Sequence, residues 1–129
     1  MPAYNESLFS PPAPVVSATL RNPDTGTTGG VLLLIDSGAD VTLLPRSAVD
    51  ALGIRSSGTY ELMGFEGSTS FADAVRADLL FLNKTFKGQF LLVNHEVGIL
   101  GRDVLNRVVL LLDGPHLIWE EHRGQSAPH

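Results

Sequence analysis

The residues best placed to do chemistry are Asp36-Ser37-Gly38, because of what precedes them. Val31 to Ile35 is an unbroken aliphatic run. A short apolar run bounded by turn residues predicts a strand buried on both faces. A carboxylate placed directly after it enters poorly solvated surroundings. That is costly for a charge unless a partner shares or neutralises it. Ser37 supplies a hydroxyl, and Gly38 permits a tight turn or a close backbone approach. The unit holds one carboxyl at the end of a rigid strand, available for acid–base work.

The neighbouring segments have to position that carboxyl. Val15 to Leu20 reads as a strand with Val16, Ala18 and Leu20 on one face. Arg21 to Gly30 is rich in turn residues, so the two strands form a hairpin whose second arm delivers Asp36. Pro45 to Leu52 reads as a short helix, with Pro45 at its first position and Gly53 just past its end. Arg46 and Asp50 then form an i,i+4 surface pair of little energetic weight. Gly58 to Ser70 reads as two extended arms around a glycine-rich tip, with Tyr60 and Leu62 on the first arm.

Phe71 to Leu82 alternates as a long strand, with Val75, Ala77, Leu79 and Phe81 on one face. Asn83-Lys84 is the expected turn, and Thr85 to Val93 the partner strand with Phe86, Phe90 and Leu92 inward. Val97 to Gly101 reads as a second central strand. Arg102 to Val108 reads as a short helix presenting Val104, Leu105 and Val108. Asp103 suits the start of that helix. Val109 to Leu112 and His116 to Trp119 make a closing hairpin around Asp113-Gly114-Pro115.

The whole chain sets outer bounds. Its 129 residues, 43% of them hydrophobic, suit one domain with a modest core that a subunit interface could extend. With no cysteine, neither a disulfide nor a cysteine-ligated metal is expected. The four histidines show no metal-ligand spacing. No apolar run is long enough to span a membrane, and the first residues lack a signal-peptide pattern, so a cytoplasmic protein is expected. A net charge of −5 without a basic cluster argues against a sequence-independent grip on nucleic acid. The expected layout is a flexible proline-rich arm over 1–13, a single domain over 14–121 and a flexible tail over 122–129.

The aliphatic run with Asp36-Ser37-Gly38-Ala39-Asp40, together with Ile99-Leu100-Gly101-Arg102-Asp103, resembles the two motifs of retropepsin-like aspartic proteases. The resemblance extends from about Pro14 to Glu120. It implies a mostly β, retropepsin-like acid protease fold. That fold is a closed, barrel-like half carrying a flap hairpin and one or two short helices. It also implies an aspartic endopeptidase that cuts peptide or protein substrates with an activated water and needs no cofactor or metal. Such a reaction needs one ionised carboxyl to activate water and one protonated carboxyl to polarise the scissile carbonyl. Only one Asp-Ser-Gly is present, so the second carboxyl has to be Asp36 of another copy, in a homodimer.

By the same resemblance, Asp36 is catalytic. Ser37 and Gly38 support the catalytic loop, Ser37 through hydroxyl bonds across the twofold axis. Gly38, Ala39, Asp40, Val97 and Ile99 meet substrate, as do Met63, Gly64 and Phe65 at the flap tip. Asp40 pairs with Arg102, whose expected burial would otherwise leave a costly lone charge. Viral relatives use N-terminal and C-terminal strands to dimerise, which implies a similar use for the ends of this domain. The alternative is a catalytically silent peptide-binding or dimerisation module on the same fold.

Overall fold

A computed structural model describes residues 2–63 and 66–122. The strands are β1 (Tyr4–Asn5), β2 (Ala13–Arg21), β3 (Thr28–Ile35), β4 (Leu43–Pro45), β5 (Ser56–Met63), β6 (Thr69–Phe81), β7 (Lys84–Val93), β8 (Gly98–Leu100), β9 (Leu110–Asp113) and β10 (Ile118–Glu121). Among the described residues there are also two short helices, α1 (Arg46–Asp50) and α2 (Arg102–Leu105). Eight strands share one sheet in the order β1-β2-β3-β8-β4-β7-β6-β5. β2 also pairs with β6, so six of them close into a barrel-like ring.

The alternating patterns of the sequence become the inside of that ring. Val16 and Leu20 of β2, Val75 and Leu79 of β6, and Phe86 and Phe90 of β7 are all buried in one core. β3 is the exception to expectation: it is not buried on both faces. Val31 and Leu33 point into the core, but Leu32 is 39% exposed. Leu32 borders a surface cleft beside Ser17 and Ala48 of α1. Asp36 therefore follows a strand buried on one face only.

Three local readings are corrected by the structure. The turn between β6 and β7 is Leu82-Asn83, with Phe81 opposite Lys84, rather than Asn83-Lys84. Both turn residues have positive φ, 54° and 60°, the geometry that suits a two-residue hairpin. Asn83 tolerates it, and Leu82 offsets a cost of about 1 kcal/mol by packing on the core. Arg46 does not pair with Asp50. It reaches Asp73 of β6 at 2.9 Å and Asn94 at 3.0 Å. Leu43-Leu44-Pro45 forms β4, so Pro45 ends a strand and caps α1 rather than opening it.

The two ends of the domain meet. β1 pairs with β2, and Ala3 bridges to Ile118 of β10, so the stretch expected as a free arm is partly tied down. Trp119 anchors the β9–β10 hairpin: it is buried, donates its indole N–H to the Val15 carbonyl at 3.2 Å, and lies 6.0 Å from the Phe81 ring.

The ring's tightest seam lies where β4 meets β8 through one residue pair, Leu43 and Ile99. Gly98 makes that approach possible. A Cβ there would overlap the Leu43 carbonyl and lie 2.8 Å from both Leu33 and Pro45. Gly98→Ala is expected to lower unfolding free energy by about 2–3 kcal/mol or to abolish folding. Gly30→Ala, which meets open space, should change it by less than about 0.5 kcal/mol. Denaturant titration of both variants checks the contrast.

Candidate active site

The Asp36 loop leaves β3 where that strand runs parallel to β8. The Asp36 N–H still donates to the Leu100 carbonyl at 3.1 Å, so the first loop residue remains tied to the sheet. The chain then turns at once. Ala39 N–H donates to the Asp36 carbonyl at 3.2 Å, and Gly38 N–H donates to Asp36 Oδ1 at 2.9 Å. A hydrogen bond from the loop's own backbone thus holds one carboxylate oxygen, and Asp36 is half-buried. The turn fixes the carboxyl's direction without covering it.

α2 braces the loop from behind. Arg102 N–H donates to the Ala39 carbonyl at 2.9 Å, and its guanidinium donates to the Ser37 carbonyl at 2.8 Å. The same guanidinium forms an ion pair with Asp40. The pair is not buried, contrary to expectation: the Asp40 side chain is 82% exposed and that of Arg102 42%. At such exposure the attraction is worth at most about 1 kcal/mol. Arg102 serves the loop more through the two carbonyls it holds than through charge.

A buried contact that sequence reasoning missed lies just below. Thr42 is fully buried. Its hydroxyl donates to Asp103 Oδ1 at 2.7 Å and accepts from Gly101 N–H at 3.0 Å. Thr42 N–H donates to Asp103 Oδ2 at 3.0 Å. Asp103 does stand at the start of α2, accepting from Val104 N–H, but its other bonds reach across to the Asp36 side. A Cβ on Gly101 would lie 2.5 Å from the Val41 carbonyl, so this contact also needs a bare backbone. The signal available was a hydroxyl set among Val41, Leu43 and Leu44, which has to find a partner when buried.

Beside the loop runs an open, mostly apolar groove of about 720 Å³. Gly38, Ala39, Asp40 and Arg102 line one side. Val41, Leu43, Leu62 and Met63 supply its apolar wall, and of these only Met63 was expected to meet substrate. Val97 and Ile99 are half-buried and do not line this groove; Ile99 sits in β8 between Leu34 and Leu43. Leu62 and Met63 come from the β5–β6 hairpin, which pairs from Ser56 to Met63 against Val75 to Thr69. β5 stands off the body with only Leu62 half-buried, and Tyr60 ties it down through its hydroxyl to Gln89 at 2.7 Å. Gly64 and Phe65, expected at the tip, lie outside the described residues.

A family model described as aspartyl protease matches residues 23–104, which contain both the Asp36 loop and the Gly101-Arg102-Asp103 brace. Among solved structures, the chain is similar to the EIAV protease in complex with an inhibitor, with a TM-score of 0.55 and 20% identity. That match covers 74% of this chain and 86% of the other. No curated protein matches the chain.

Thr42→Val keeps the shape but leaves Gly101 N–H without its acceptor and removes the hydroxyl donor from Asp103 Oδ1. It is expected to cost about 2–4 kcal/mol of stability. Asp40→Asn should cost less than about 1 kcal/mol. Equilibrium unfolding in urea separates the two, and equal costs would contradict the division between a buried clasp and an exposed pair.

Proposed function

The chain belongs to the aspartyl protease family, on a retropepsin-like fold, and we propose that it is an endopeptidase active only as a homodimer. The observation that carries this reading is Asp36 in the chain's one Asp-Ser-Gly, held by its own loop beside a groove that Gly38, Ala39 and Asp40 line. Two such loops meeting across a twofold axis give two carboxyls that share one proton. The ionised carboxyl takes a proton from water as its oxygen attacks the scissile carbonyl carbon. The protonated carboxyl gives its proton to the carbonyl oxygen. Collapse of the resulting diol breaks the C–N bond, and the amine leaves with a proton returned from the dyad.

The neighbouring residues have definite parts in this reading. Gly38 offers a backbone carbonyl to an extended peptide, and Asp40 receives a peptide N–H. Ala39, Val41, Leu43 and Leu62 favour apolar substrate side chains, because the groove wall is apolar where they line it. The β5–β6 hairpin acts as the flap, with Met63 reaching the substrate. Ser37 contributes its exposed hydroxyl across the axis, while its carbonyl stays with Arg102.

The β9 strand offers the surface for the second copy. Among the described residues it pairs only with β10. Trp119 N–H donates to the Pro2 carbonyl, so the Trp119 backbone faces away from β9. Leu112 is its register partner, and the N–H and C=O of Leu112 therefore point to the outer edge of β9. Leu111 and Leu112 are both about half exposed there, with neither lysine nor proline to protect the edge. Antiparallel pairing of β9 with its own copy would give the sheet β10-β9-β9-β10. β1 is already bound within its own chain and is not needed for the exchange.

Two measurements test the proposal. Asp36→Asn should reduce cleavage of an unfolded protein, assayed over roughly pH 4 to 7, by about 10²–10⁴-fold while leaving the dimer intact. Undiminished cleavage would contradict the catalytic assignment. Leu111→Glu/Leu112→Glu should leave a folded monomer by sedimentation, with activity lost in parallel. A dimer of unchanged affinity would move the interface away from β9.

A further inference from the structure

Away from the groove, the distribution of charge is uneven in an informative way. The chain carries 14 acidic residues against 9 lysines and arginines. Almost every described cation is engaged. Arg21 and Lys87 share Asp78, Arg46 holds Asp73, and Arg102 holds Asp40. Arg107 lies over the Phe86 ring, and Lys84 donates to a backbone carbonyl. Among the described residues only Arg55 and Arg76 have no carboxylate, ring or carbonyl partner. Both line the same recess of about 360 Å³.

The recess is built on fixed walls. One wall is the turn from Asn22 to Thr25. Asn22 is buried, donates its amide to the Leu52 carbonyl at 3.0 Å and accepts from Asp24 N–H at 2.9 Å. Across from it, Arg55 comes from the segment just before β5, Ser57 from the start of β5 and Arg76 from β6. Ser57 is held by donating to the Ala74 carbonyl. Two guanidinium groups at the rim of a rigid recess match a tetrahedral or planar anion, because each presents a fork of parallel donors. Asp24 also lines the recess without an ion pair of its own, and its charge opposes an incoming anion.

We propose that this recess is an anion-binding site, separate from the groove, that takes a phosphate group through Arg55 and Arg76. It lies at the root of the β5–β6 hairpin, whose far end lines the groove at Leu62 and Met63. The phosphate arrives either as the free ion or on a phosphorylated side chain of a protein, and the recognising chemistry is the same.

The test is NMR titration of the whole chain, following the arginine Nε–H signals and the amides of residues 53–57 at constant ionic strength. Inorganic phosphate is one arm, and a phosphoserine peptide with its unphosphorylated counterpart is the other. Saturable shifts confined to the recess are expected, weakened about tenfold or more in Arg55→Gln/Arg76→Gln. Asp24→Asn should tighten binding. Both arginines are exposed, so the variant should keep its fold, which its amide spectrum verifies. Equal saturation by ion and peptide would assign a free anion; a peptide at least tenfold tighter than either control would assign a protein side chain. Shifts that rise linearly without saturation, or that persist unchanged in the double variant, would overturn the proposal.

Discussion

One buried hydroxyl joins the two halves of the site. Thr42 and Asp103 lie 61 residues apart in sequence, and their contact fixes where α2 stands relative to the Asp36 loop. Arg102, next to the clasped Asp103, holds the Ser37 and Ala39 carbonyls. The closeness this requires excludes side chains at Gly98 and Gly101. The loop's geometry is therefore set by backbone approach and buried hydrogen bonds. The more conspicuous Asp40–Arg102 pair is solvated and adds little.

The same arrangement is consistent with the proposed pairing of two chains. β3 ends at Asp36, and the loop that follows lines an open groove through Gly38, Ala39 and Asp40. The hairpin that would cover it stands off the body, with Tyr60 as a strut to β7. Apolar surface that a lone domain would do better to bury remains exposed on β9 and on the hairpin, at Leu111, Leu112, Met63 and Phe71. In the proposed assembly, a second copy would cover the β9 surface and an extended peptide the hairpin surface.

Much of this was legible in the sequence because it depends on period and on rare combinations. Alternation through Val75, Ala77 and Leu79 fixed a strand and its inner face, since one buried face tolerates no slip of register. The aliphatic run ending in Asp36-Ser37-Gly38 located the carboxyl. Features that depend on distant partners were not legible. β4 is three residues long and ends in a proline, so nothing local distinguishes it from the start of α1. Arg46 had Asp50 one turn away in sequence, but Asp73 lies closer in space. Leu82 adopts a left-handed backbone that no leucine advertises, because only the core beneath it makes that conformation affordable. Thr42 gave a real but easily missed signal, a hydroxyl with no water to meet it.

The central claim is that one active site contains Asp36 from two chains. Mixing subunits tests it most directly. Wild-type chain at fixed concentration is equilibrated with increasing Asp36→Asn chain, and cleavage is measured after exchange. The account predicts that activity falls as the inactive chain is added, because mixed dimers carry one competent carboxyl and one amide. Activity that stays constant, with mixed dimers demonstrably formed, would mean that each chain works alone and would contradict the account.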